Sequence, residues 1–163
     1  TAQRLVREFH ALISAPNTDT VKRPCIPPND RRLLRARLII EEAVETCNAL
    51  GVGIKVRLSA EGEQQFETEL WHEDDYECMD VSGVIDGVCD TIYVLLGTAE
   101  ECGFEVYPFF LEVARNNMSK AASGVKDAFG KVLKPANHRP PCIDKLLDAY
   151  DAVMFIAKYA GKI

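Results

Sequence analysis

The chain has 163 residues, 47% of them hydrophobic and 27% charged, which is ordinary for a soluble globular protein with one sizeable core. A formal charge of −6 and a pI of about 5.1 argue against general binding to nucleic acid or a membrane surface, both of which favour basic proteins. The charge is uneven: residues 61–80 hold nine Asp/Glu and no Lys or Arg, whereas 115–139 hold six Lys/Arg against the single acid Asp127.

In chain order, residues 1–15 read as a short helix with Leu5, Phe9, Leu12 and Ile13 on its apolar side. A loop with prolines at 16, 24, 27 and 28 follows. Asp30 is the expected N-cap of a second helix over 31–50 that stops near Gly51 and Gly53. Residues 54–58 alternate like a short strand, but 59–77 are too polar to pair convincingly and read as loop, with room for a helical turn at 66–71. A third helix spans 79–102 and ends at Gly103; a fourth spans 106–120 with Pro108 in its first turn. Residues 121–142 are punctuated by Gly and Pro, and Val125 and Val132 flank a turn suited to a small hairpin. A last amphipathic helix covers 143–159, with Ile143, Leu146, Leu147, Tyr150, Val153, Met154 and Ala157 on one face. The whole is expected to be one all-α domain over 1–163.

Six cysteines (Cys25, Cys47, Cys78, Cys89, Cys102, Cys142) form no CxxC pair, so zinc is not indicated and free thiols in a reducing, cytoplasmic compartment are expected. With no secretory leader pattern in residues 1–15, a secreted location is not expected. The longest uncharged run, 91–99, is far shorter than the roughly 20 residues of a spanning helix, so no membrane partner is expected.

The chemistry lies in two acidic clusters on apolar helices. Glu41, Glu42 and Glu45 fall within one arc of the second helix, in line with Leu34 and Leu38. Asp86 and Asp90 are an i,i+4 pair on the third, flanked by Gly83 and Gly97 and bordered by Tyr93 and Val94. Small residues let a partner helix approach, and carboxylates that share a pocket need a cation. An all-oxygen set selects magnesium, manganese or calcium, and calcium-loop spacing is absent. A di-iron bundle would need histidines beside the glutamates, yet His10, His72 and His138 all lie elsewhere. The plainer alternative is a solvated glutamate face.

RARLIIEEAVETCNALGV, DGVCDTIYVLLGTAEECGF and EVARNNMSKAASGVKDAFGKVLKPANHRPPCI, in that order, resemble the MazG-like and phosphoribosyl-ATP pyrophosphohydrolase-like group of all-α nucleoside triphosphate pyrophosphohydrolases. The resemblance runs from about Phe9 to Ile143. It implies a bundle of four to five helices, with room for one small β-hairpin, assembled as a dimer or tetramer. The implied activity is magnesium-dependent (or manganese-dependent) cleavage between the α- and β-phosphates, giving a nucleoside monophosphate and pyrophosphate. The family's ExxE corresponds to Glu42 and Glu45, with Glu41 adjacent, and these three are the expected catalytic carboxylates. Its ExxD is matched by Asp90 alone, because Gly87 stands where the acid belongs; Asp86 is the natural substitute. The implied metal ligands are thus Glu42, Glu45, Asp86 and Asp90. Asn117, Lys120, Lys131, Lys134 and Asn137 would contact phosphates or sugar, with Arg115 less clearly placed; their alternative reading is a solvated basic loop. Tyr93 and Trp71 could stack on a base, although single aromatics more often belong to a core. Hydrolysis of phosphoribosyl-ATP and a non-catalytic helical partner protein are the alternative functions.

Overall fold

The computed structural model describes residues 1–13, 15, 24–58, 64–71, 80–121, 124–128 and 130–160, without the side chains of 57, 58, 64–66 and 152–160. Among these are five helices and one small sheet: α1 (Ala2–Leu12), α2 (Asn29–Ala49), β1 (Val52–Leu58), β2 (Gln64–Leu70), α3 (Val81–Cys102), α4 (Val106–Ala121) and α5 (Ile143–Ala160). The protein is all-α in class, with α3 packed against both α1 and α2, and α4 against α5. His72, Cys78, most of the proline loop and the acid-rich 72–79 stretch lie outside the described residues, as do the side chains of Val153, Met154 and Ala157.

Glycine sets the α2–α3 approach. Gly87 is buried, and a Cβ there would meet Thr46 Oγ1 at 2.6 Å and Thr46 Cα at 3.1 Å. A Cβ on Gly83 would lie 3.2 Å from that of Ala49, and one on Gly97 would lie 2.5 Å from Arg35 Nη1 and 3.0 Å from His10 Nε2. The Thr46 and Thr91 hydroxyls stand 3.4 Å apart across the same seam. α3 ends as its sequence dictates: Gly103 takes φ 77°, a left-handed value that glycine adopts without a Cβ clash.

Several expectations are corrected. α1 buries Gln3, Val6 and His10, while Leu5, Phe9, Leu12 and Ile13 are exposed. The polar face wins because Gln3 hydrogen-bonds Glu100 and the Phe104 carbonyl, both at 2.8 Å. α2 starts at Asn29 after Pro28 and has no side-chain cap, so Asp30 sits in its first turn, where a negative charge favours the helix dipole. The 64–70 stretch is a strand rather than loop or helical turn. It pairs antiparallel with β1 in the register Val52↔Leu70 to Leu58↔Gln64, and Lys55 Nζ bonds Glu69 at 2.6 Å. The 125–132 turn narrows to one isolated bridge, Lys126↔Val132. Finally, α3 is long and apolar enough to cross a membrane by length and composition, with mean hydropathy 1.3 over its best window; the length of the uncharged run alone understates it.

Candidate active site

The α2–α3 seam brings the acidic clusters together around Glu42. Burial, followed by the charges of Asp90, Glu45, Glu41 and Asp86, pushes the Glu42 carboxyl above its ordinary range. Two of those four acids come from the opposite helix, so Glu42 feels Asp86 and Asp90 across the seam. The carboxylates are not buried, although their neighbours in the sequence are apolar: Glu42 is half-buried, and Glu41, Glu45, Asp86 and Asp90 are exposed. Among the described residues, no Lys, Arg or His forms an ion pair with any of the five.

The basic segment gathers around the second half of α4. A polar cavity of about 400 Å³ is lined by Arg115, Asn116, Ser119, Asn137, His138 and Arg139, among others. Lys120 and Lys134 belong to the same neighbourhood: burial first, then their charges, holds the His138 imidazole below its usual range. Lys120 Nζ also donates to Asn117 Oδ1 at 2.7 Å. Lys131 sits on the small turn, where its backbone N–H donates to Asp127 Oδ1 at 2.9 Å. Arg115 is engaged by Glu112 at 2.7 and 2.9 Å. Tyr93 packs edge-on against Phe9, with centroids 5.9 Å apart, and Trp71 lies over Gly53, so neither aromatic lines this cavity.

A family model described as phosphoribosyl-ATP pyrophosphohydrolase matches residues 6–117, well over half of the chain. The chain belongs to this family. It is therefore a pyrophosphohydrolase, with an all-α fold in keeping with the resemblance of its motifs. No curated protein matches the chain. The matched stretch contains all five clustered acids and ends at Asn117, so Lys120, Lys131, Lys134 and Asn137 lie beyond it.

Placing this pyrophosphohydrolase's acids on the structure also explains its departure from ExxD. Position 87 faces Thr46 at close range, so a carboxylate there would have to part α2 from α3; Asp86, one residue earlier, escapes the seam. Among the described residues, no three His, Cys, Asp or Glu form a ready-made metal cage. The donor chemistry nonetheless fits a hard divalent cation: five oxygen-bearing side chains, no cationic partner among the described residues, and one carboxyl raised by burial and then by its neighbours' charge.

Sequence reasoning missed two things. Glu100 and Glu101 are only 4% and 1% exposed. Arg7 bonds Glu100 at 2.7 and 2.8 Å and also reaches Glu105. Arg31 holds Glu101 at 2.6 and 2.9 Å, with Arg35 at 3.6 Å. The sequence trace is the doublet itself, two acids closing an apolar helix, matched by Arg31 and Arg35 at i,i+4. The second is Asn116, whose Nδ2 donates to the Arg139 carbonyl at 2.6 Å and ties the basic segment to α4. In the Asn-Asn doublet, Asn116 is the buried anchor and Asn117 the exposed neighbour.

Proposed function

We propose that the protein hydrolyses the α–β anhydride of a nucleoside triphosphate, releasing a nucleoside monophosphate and pyrophosphate. The observation that carries this reading is the convergence of Glu42 with Asp86 and Asp90 across the glycine seam. Glu42, Glu45, Asp86 and Asp90 would hold magnesium or manganese, which when bound screens phosphate charge and acidifies water. A carboxylate of the Glu41, Glu42 and Glu45 cluster orients the attacking water and takes its proton; a raised carboxyl such as Glu42 suits a base working near neutral pH. In-line attack at the α-phosphorus then expels pyrophosphate. Lys120 and Lys134 balance the leaving group's charge, with Asn117, Lys131 and Asn137 placing phosphates or sugar. Phosphoribosyl-ATP is the second substrate reading, favoured by the description of the matching family.

The test is product analysis on a nucleotide panel that includes phosphoribosyl-ATP, with magnesium or manganese and with chelator. Monophosphate plus pyrophosphate is expected; orthophosphate from the γ position contradicts the reading. Full turnover by Glu45→Gln and Asp90→Asn would overturn the ligand set.

The working form is a homodimer or homotetramer. α2 has no buried residue, α3 exposes Val81, Ile85, Val88, Ile92 and Leu95, and α4 exposes Tyr107, Phe110 and Leu111. Apolar faces of that extent favour a second copy, and a monomer by light scattering would contradict this. The described cysteines are thiols rather than disulfides, which supports a cytoplasmic location; recovery of the native protein from a secreted fraction would count against it. The chain works as one unit over 1–163, and limited proteolysis yielding two stable folded pieces would contradict that.

A further inference from the structure

Away from the carboxylates, two thiols far apart in the sequence meet. Cys25, in the extended stretch before α2, donates its backbone N–H to the carbonyl of Cys102, the last residue of α3, at 2.9 Å. Such a bond limits the two Cα atoms to roughly 4.5–6.5 Å apart, inside the range of about 4.4–6.8 Å that a disulfide spans. Both residues line one apolar cavity of about 480 Å³, together with Ile26, Phe104, Phe109 and Leu147. Both are thiols in this structure. We propose that Cys25 and Cys102 are a redox modification site, closed to a disulfide by an oxidised low-molecular-weight thiol of the glutathione type.

The two environments set the order of attack. Cys25 is exposed, whereas burial, and then the charges of Cys25 and Glu101, pushes the Cys102 thiol up. Cys25 therefore reacts first: it loses its proton, its sulfur attacks the small disulfide, one half becomes bonded to Cys25 and the other leaves as a thiol. Cys102 then loses its proton and attacks the Cys25 sulfur, displacing the second small thiol. Two protein thiols are oxidised by two electrons while one disulfide is reduced to two thiols. The product closes a loop of roughly 80 residues that contains both acidic helices, and chain entropy predicts a Tm rise on the order of 10 °C.

The experiment treats the whole protein with oxidised glutathione, alkylates the remaining thiols, maps peptides without reductant and follows Tm. A Cys25–Cys102 cross-linked peptide, lighter by two hydrogens, is expected, with a Tm rise that dithiothreitol reverses. Cys25→Ser, at an exposed position, should lose both. The proposal is overturned if Cys25 and Cys102 are both recovered alkylated while exposed Cys89 and Cys142 carry glutathione. A Tm rise that persists in Cys25→Ser overturns it equally.

Discussion

Gly87→Ala tests the seam on which the site depends. The new methyl would stand 2.6 Å from Thr46 Oγ1, 3.1 Å from Thr46 Cα and 3.2 Å from Thr46 Cβ. The hydroxyl is held by its 2.7 Å bond to the Glu42 carbonyl, and the main chain at Thr46 cannot move without α2. Two effects oppose each other: alanine favours a helix interior by about 1 kcal/mol over glycine, while overpacking costs about 1–3 kcal/mol. Because the collision involves main-chain atoms, the upper part of that range applies, leaving a net loss of about 1–2 kcal/mol. For a domain of this size that lowers Tm by roughly 2–8 °C, read by calorimetry in chelator. Turnover falls as well, because moving α2 outward carries Glu42 away from Asp86 and Asp90. In a Thr46→Ala background the loss shrinks but persists, since the new methyl still meets the main chain of residue 46. A Gly87→Ala protein as stable as the parent would refute the reasoning.

Other outcomes follow from the charged groups. Glu101→Gln leaves Arg31 and Arg35 facing a neutral partner and should cost about 3 kcal/mol in urea unfolding; a loss below about 1 kcal/mol would mean the pair is not sealed from water. Glu42→Gln should abolish turnover yet raise the metal-free Tm at neutral pH, because it removes a repelled charge; a lowered Tm would contradict the repulsion. By the same sign, the metal-free parent gains stability as pH falls from neutral through the raised Glu42 pKa toward the ordinary 4.5. Saturating magnesium should raise Tm, and an unchanged value counts against a cation site. Glu112, held at about 2 by Arg115 and then by the Cys142 N–H, contributes stability above 4.5 that is lost as pH falls toward 2. An acid titration in which Glu112→Gln and the parent differ by a constant amount would exclude that contribution.

The helices were legible because apolar periodicity and glycine stops act locally: α3, α4 and α5 begin or end within about two residues of the sequence reading. The hairpin was not. In QQFETEL only Phe66 and Leu70 are strongly apolar, two positions of the face that the register sets opposite Val56 and Val52, and the acids between them mask that signal in the sequence; main-chain pairing and cross-strand partners such as Lys55 and Glu69 complete the ribbon. The buried face of α1 was misread for the opposite reason. Its hydrophobic stripe points outward, because Gln3, Arg7 and His10 find partners or enclosure against α3 that no local pattern encodes. The five acids of the site were readable as two helical clusters. Their degree of exposure was not, because it depends on how closely α2 and α3 meet at Gly87.

α3 carries two kinds of acid whose fates differ by partner. At its C-terminal end Glu100 and Glu101 are sealed under arginines from α1 and α2, joining three helices at one place. Toward its N-terminal half Asp86 and Asp90 face Glu42 with no cation of the chain in ion-pair reach among the described residues. Like charges drawn together would push α2 and α3 apart; among the described residues, close packing at Gly87 and Gly83, the Thr46–Thr91 hydroxyl contact and the Asp80 N–H bond to the Ala49 carbonyl oppose them at that end. Breaking a buried pair costs about 3–5 kcal/mol, whereas repulsion among exposed carboxylates is screened by water and salt. The arginine end thus holds the helices in register while the carboxylate end stays electrostatically unsatisfied. A polar end left unsatisfied on a rigid frame is what a site for a cationic ligand requires.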